Sequence, residues 1–318
     1  MTYPPFKAHW SIKNPHLQTI LASLRKPNST LKLSHEYVDI PGDQLELVWL
    51  NQHLIHTQPI LLLIHGLEGS AHSAYIQALM HQAHHYHFSM VTLHFRGCDG
   101  RVNQLAEGYH AGQSQDIATV IDHLRQYYPN CPLFAAGFSL GANALLKYLG
   151  ENSLNPLQGA AAVSTPFNLS SACAQLEKPA NKLYQYSFLK SLKRTVQNKI
   201  DHGVDLSISK KRLQQLKTVR QIDEEVTAPT HGFNSAEHYY QSCSSQNFIA
   251  DIKTPTLIIH AKDDPIIPAS CIPAQFPSSC QAEIYDHGGH VGFLGQGRYL
   301  PQSWLEKRLL HWFQYLLK

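Results

Sequence analysis

Five short runs of this 318-residue chain are apolar almost throughout: residues 59–65 (PILLLIH), 88–95 (FSMVTLHF), 132–138 (PLFAAGF), 159–165 (GAAAVST) and 255–261 (PTLIIHA). A strand with one wet face alternates apolar and polar side chains, so runs without alternation predict strands buried on both faces. Helix-forming stretches separate them, and that alternation predicts a mostly parallel sheet flanked by helices, an α/β fold. The predicted helices are Ala71–His85, Gln113–Tyr127, Ala142–Leu149 and Gln302–Leu317, the last amphipathic. An earlier pair of runs, His35–Ile40 and Leu45–Leu50, is joined by Pro41-Gly42-Asp43-Gln44, a turn signal that suits an antiparallel hairpin leading into the sheet.

Between Asn168 and Ser245 the strand-like runs vanish, and Lys, Gln, Leu and Tyr recur at helical spacing. We read 168–245 as a helical cap inserted into a core formed by 1–167, with an N-terminal extension at 1–34, and by 246–318. Lys178 to Arg220 holds eleven Lys or Arg against Asp201 and Asp205, a local excess of nine. Such a run is ordinarily a solvated helical face; the sharper expectation is peripheral contact with an anionic membrane through the basic cap. The whole chain has 26 Lys and Arg against 23 Asp and Glu, a net +3, so no nucleic-acid partner is expected. Six scattered cysteines show no CxxC spacing, and the N-terminus lacks the apolar core of a signal peptide. The expectation is a cytoplasmic protein.

Chemistry is concentrated at Gly137-Phe138-Ser139-Leu140-Gly141, which follows the run PLFAA and precedes the helix-forming ANALLKYLG. Strand, sharp turn and helix make the context of a nucleophile elbow, in which a serine at the apex projects its Oγ toward substrate. The competing reading is a glycine-bounded helix start capped by Ser139. A serine hydroxyl needs a general base, and the base needs a carboxylate to orient it. Asp263 and Asp264 follow the run TPTLIIH, at the end of a parallel strand where open α/β sheets build their sites. Asp264 is preferred because it stands four residues before Pro268, and Asp263 is the runner-up. His290 lies 26 residues after Asp264 in Gly288-Gly289-His290-Val291-Gly292, whose glycines are expected to let the loop swing over the sheet edge. The oxyanion donors should be the backbone N–H groups of Leu140, next after the serine, and of Leu67, in His65-Gly66-Leu67-Glu68-Gly69-Ser70.

Other residues compete with this arrangement. His287 competes for the base role, although its position after Asp286 suits a loop brace. His94 and Asp99 fit the H-x4-D pattern of some acyltransferases, and His81, His84, His85 and His87 crowd one helix end without an HExxH motif. The glycine-rich loop at 65–70 matches neither GxxxxGK[ST] nor GxGxxG, so nucleotide binding is not expected.

With these motifs in hand, the chain resembles the α/β-hydrolase superfamily and, within it, the YheT-like esterases. The resemblance runs through Asn14-Pro15-His16-Leu17-Gln18-Thr19-Ile20, the His65–Ser70 loop, Phe95-Arg96-Gly97-Cys98, the Ser139 elbow, Lys262-Asp263-Asp264-Pro265 and Gly289-His290-Val291-Gly292-Phe293. It departs at Asp99, where a small residue is usual. The resemblance implies a serine carboxylic ester hydrolase of esterase or acylglycerol lipase type, with Ser139, Asp264 and His290 as its triad and a small-molecule or lipid ester as substrate. No metal or organic cofactor is expected. The alternatives are an acyltransferase or thioesterase on the same triad, or a non-catalytic hydrolase-like scaffold that binds through the basic cap.

Overall fold

The computed structural model describes residues 3–25, 31–297 and 300–318. Eight strands form one sheet: β1 (Leu33–Ile40), β2 (Asp43–Leu50), β3 (Ile60–Ile64), β4 (Ser89–His94), β5 (Leu133–Phe138), β6 (Gly159–Val163), β7 (Thr256–Ala261) and β8 (Cys280–Tyr285). Their order across the sheet is β1-β2-β4-β3-β5-β6-β7-β8. The β1–β2 and β2–β4 pairs are antiparallel and the other pairs parallel. The five apolar runs supply β3 to β7, each buried at every position. The hairpin closes tighter than the sequence suggested, with Ile40 opposite Asp43 and only Pro41-Gly42 between the strands. Proline presets φ at the first turn position and Gly42 takes φ +76° at the second.

Helices α1 (Pro15–Leu24), α2 (Ala74–Tyr86), α3 (Ser114–Tyr127) and α4 (Leu140–Glu151) come before β6. Between β6 and β7 lie α5 (Leu169–Leu176), α6 (Lys182–Asp201), α7 (Lys210–Gln215), α8 (Val219–Ile222), α9 (Ala228–Thr230) and α10 (Ala236–Cys243), the segment expected to be a cap and hereafter called the cap, and α11 (Leu305–Leu316) is near the C-terminal end. Two apolar layers sandwich the sheet. One joins Leu62, Val91, Ile121, Leu145 and Leu149; the other joins Leu61, Met90, Leu79, Leu309 and Phe313. Each fully buried Leu or Phe contributes about 1.5–3 kcal/mol relative to exposure.

Sequence reading and structure differ at several ends. α2 starts at Ala74 and α11 at Leu305, later than expected, because 71–73 turn before the helix and Gln302-Ser303 pair with Leu294-Gly295. α1 was not foreseen. Asn14 caps it by accepting from the His16 and Leu17 N–H groups, with Pro15 in the first turn.

The basic run of the cap is not a uniformly solvated face. Lys199 is buried and donates to the Leu105 and Ala106 carbonyls, Lys193 donates to the Gln214 carbonyl, and Lys210, Arg212 and Arg220 pair with Asp201, Glu225 and Glu237. Burial pushes the Lys199 ammonium down to about 8 despite its acidic neighbours Asp43 and Glu107.

Candidate active site

Ser139 stands between β5 and α4 at φ +53°, ψ −122°, a conformation that costs free energy for any residue with a Cβ. Its N–H donates to the Val163 carbonyl of the neighbouring β6, which fixes the apex against the sheet. The flanking glycines are a steric requirement. A Cβ on Gly141 would lie 2.3 Å from the His65 carbonyl oxygen, and one on Gly137 would lie 2.6 Å from the Gly141 carbonyl oxygen. So helix and strand approach closely enough to throw the serine side chain outward.

His290 Nε2 lies 2.9 Å from Ser139 Oγ, and His290 Nδ1 lies 2.8 Å from Asp264 Oδ2. The other oxygen of Asp264 accepts from the Ile266 and Ile267 N–H groups at 2.8 and 2.9 Å. Burial would raise this carboxyl, but the His290 charge and hydrogen bond, neighbouring His260 and the backbone donor outweigh it, and the net direction is downward. An ionised carboxylate facing Nδ1 makes that nitrogen the donor and leaves Nε2 free to accept the serine proton.

Asp263 points elsewhere. It accepts from the Gly289 N–H at 2.9 Å and meets His287 Nδ1 at 3.1 Å, so the runner-up carboxylate and the competing histidine brace each other beside the His290 loop. In that loop the glycines serve close approach to α1. A Cβ on Gly289 would lie 2.6 Å from the Pro15 carbonyl oxygen, and one on Gly292 would lie 2.9 Å from that of Gln18. The glycines let the loop press onto α1, where Thr19 Oγ1 accepts the His290 N–H at 2.9 Å and Gln18 bridges the Ile12 carbonyl with the N–H and carbonyl of Leu294. Ser164 Oγ accepts the Val291 N–H from the opposite side. Glu68, Ser139, Ser164, Val291 and Phe293 all have positive φ, so backbone strain gathers around this site.

Leu67 follows β3. The neighbouring Gly66 and Glu68 N–H groups donate to the hydroxyls of Tyr75 and Tyr109, whereas the Leu67 N–H has no acceptor among the described residues. Leu140 is the first residue of α4, where an N–H has no intrahelical acceptor. Both residues line the pocket that contains Ser139. His65 holds this loop in place: burial pushes its imidazole down to about 3, its Nδ1–H donates to the Gly66 carbonyl, and its Nε2 accepts the Phe95 N–H.

Glu68 was missed by sequence reasoning. It accepts from Tyr109 in the core and from Ser191 and Thr195 of α6, tying the Leu67 loop to the cap. Only its place in the His65–Ser70 loop could have signalled this.

The pocket beyond Ser139 is walled mainly by apolar side chains, among them Leu169, Leu176, Phe188, Val219 and Ile267. Among the described residues one carboxyl faces it: Asp223, held by Tyr240 and Thr227 and raised by burial to about 6.

The remaining candidates have other duties. His94 accepts the Ala71 N–H at Nε2 and donates to Glu46 from Nδ1, while Asp99 pairs with Arg101, so the H-x4-D pattern does not assemble. The side chain of His84 lies outside the described residues. Among the described residues no three His, Cys, Asp or Glu side chains converge as a metal site. Nor, among them, is any helix long and apolar enough to cross a membrane.

Residues 59–296 match the alpha/beta hydrolase fold family. Over 305 residues the chain is 35% identical to the protein named "Putative esterase YheT" in Escherichia coli (strain K12), covering 94% of this chain and 90% of that one. It is 32% identical over 246 residues to the monoacylglycerol lipase of Saccharomyces cerevisiae, covering 74% of this chain and 55% of that protein. Among solved structures, the Pyrococcus furiosus esterase Pf2001 shares the fold at a TM-score of 0.59 and 14% identity, covering 92% of this chain and 95% of that one. The elbow, the parallel sheet and these similarities together establish that the chain belongs to the α/β-hydrolase family, in its YheT-like branch.

Proposed function

We propose that this protein is a serine carboxylic ester hydrolase that works through an acyl-enzyme. The Ser139–His290–Asp264 chain of contacts, at 2.9 and 2.8 Å, carries the reading. In the first half-reaction Ser139 Oγ attacks the acyl carbonyl carbon while His290 Nε2 takes the serine proton. Asp264 stabilises the imidazolium without taking a proton itself. The oxyanion of the tetrahedral intermediate accepts from the Leu67 and Leu140 N–H groups, donors held ready before substrate arrives. Collapse expels the alcohol, which receives the proton from His290. Water then attacks the acyl-enzyme by the same route, releasing the carboxylic acid and restoring Ser139.

In this reading the core, 1–167 and 246–318, supplies the chemistry, and the cap at 168–245 supplies the pocket wall. Apolar lining from Phe188, Leu169, Val219 and Ile267 favours an ester with an acyl chain over a small acetate. A series of p-nitrophenyl esters from two to sixteen carbons tests this. We expect kcat/KM to rise at least tenfold from acetate to a medium-chain ester. Flat or falling values along the series would contradict the assignment of this pocket to the acyl group.

A further inference from the structure

Helix α1 is amphipathic in the opposite sense to a core helix. Its polar Gln18 and Thr19 are buried at 0% and 8% exposure, whereas Leu17, Leu21 and Leu24 stand out at 46%, 40% and 68%. The spacing of these leucines, i, i+4 and i+7, puts them in one outward stripe. Just before the helix, Trp10 is 73% exposed.

A second apolar surface adjoins the first. His16 of α1 bonds Tyr184 of α6 at 3.0 Å and stacks on its ring. On α6 the neighbours of Tyr184 point outward, with Leu183 at 67% and Tyr186 at 63% exposure. The inner side of the same helix, Phe188 and Leu192, lines the Ser139 pocket. Thus the two elements that brace the His290 loop and wall the pocket also display large apolar side chains to water, where isolated examples are ordinary but a contiguous group marks a contact surface.

The charges flanking α1 and in the first half of α6 are basic, with Glu177 the exposed acid just before Lys178. Lys13 and Arg25 flank α1, and Lys178, Lys182 and Lys190 flank or belong to the first half of α6; all five are exposed and none is in an ion pair among the described residues. Neither residues 1–35 nor residues 178–200 contain an Asp or Glu. Apolar side chains flanked in sequence by cations that have no ion pair among the described residues fit the boundary of an anionic bilayer, where leucine and aromatic groups enter the acyl region and lysines meet phosphate. We propose that the outward faces of α1 and the first half of α6 dock this protein on an anionic lipid surface and set the pocket wall against it. The contact surface therefore centres on α1 and the start of α6, and most of the basic run from Lys193 to Arg220 is engaged within the protein.

Sedimentation of the full chain with vesicles of phosphatidylglycerol or of phosphatidylcholine tests the proposal. We expect the unaltered protein to partition at least tenfold better onto phosphatidylglycerol. The triple variant Leu17→Ser/Leu21→Ser/Leu24→Ser and the pair Leu183→Ser/Tyr186→Ser should each lower that partition at least tenfold. Lys182→Gln/Lys190→Gln should remove most of the preference for anionic vesicles, and 0.5 M salt should do the same to the unaltered protein. Melting temperature and turnover of p-nitrophenyl acetate should be unchanged in all three variants, which separates lost docking from lost folding. Absent or equal binding to both vesicle types would overturn the proposal, as would leucine variants that bind like the unaltered protein. So would a concentration-dependent dimer that the leucine substitutions dissociate, because a second copy of the chain would then be what covers this face.

Discussion

At the scale of single residues, the adjacent carboxylates Asp263 and Asp264 are the sharpest case. Nothing in the letters Lys262-Asp263-Asp264-Pro265 separates them except distance to Pro268, because the choice rests on which way each side chain leaves the turn. Asp264 turns inward onto His290 Nδ1 and two backbone donors, while Asp263 turns toward Gly289 and His287. Asp264→Asn is therefore expected to lower kcat about 10³- to 10⁴-fold, since an amide stabilises the wrong imidazole tautomer. Asp263→Asn keeps an acceptor for the Gly289 N–H, and a loss of less than about tenfold is expected. Steady-state kinetics of both variants on one ester would decide it, and equal losses or the reverse order would contradict the assignment. Ser139 and His290 were legible earlier because each sits in a motif whose backbone geometry only glycine neighbours permit. The Leu67 N–H, without an acceptor among the described residues, was foreseeable only as a position in a loop, since the turn around it is held by Tyr75 and Tyr109 accepting the amides on either side.

At the scale of elements, α1 shows how a reading based on periodicity fails. A helix that buries Gln18 and exposes Leu17, Leu21 and Leu24 has an apolar stripe that points away from the core, so the usual link between pattern and packing is inverted. Its start signal, Asn14 followed by Pro15, was present and unused. The loop glycines at 289 and 292 were read as freedom, yet the backbone of α1 lies too near for any Cβ there. Gln18 is the bolt between the two elements, making three hydrogen bonds from a fully buried position. Gln18→Ala leaves the Leu294 N–H and the Ile12 carbonyl without their partner, while the Leu294 carbonyl keeps the His9 N–H, at a cost of about 2–4 kcal/mol. We expect that loss in urea unfolding together with a fall in kcat on soluble esters, because the His290 loop rests on α1. Unchanged stability and kcat would show that α1 does not position the histidine.

At the scale of the whole molecule, the sheet was the most legible feature, since five unbroken apolar runs can be buried only in a parallel, two-sided layer. The packing of the cap was not, because its contacts join residues far apart in the chain, such as Glu68 with Thr195 and Lys199 with Leu105. Folding also imposes a pH dependence that composition alone does not give. Of 21 histidines, His65 and His260 have no exposed surface, and burial pushes them down to about 3 and about 4. Below the ordinary imidazole range the unfolded chain takes up protons that these two refuse in the folded state, so stability falls as pH falls from about 6.5 toward 4. The two together should cost on the order of 3 kcal/mol between pH 6.5 and 5. Asp223, raised to about 6, opposes this in part, because its burial penalty is relieved as it takes up a proton. Thermal melts at pH 7.5, 6.5 and 5 should show a drop of several degrees over the last interval, and a flat profile would contradict neutral burial of these imidazoles. The proposed chemistry requires Ser139 to be a nucleophile activated by His290. Its most direct measurement is the intact mass and peptide map after brief exposure to a fluorophosphonate. One phosphonyl group on the peptide containing Ser139 is expected, with fluoride released and esterase activity lost in step, no adduct in Ser139→Ala, and labelling slowed at least 100-fold in His290→Ala. Labelling of another residue, or an unlabelled protein that still hydrolyses esters, would contradict it.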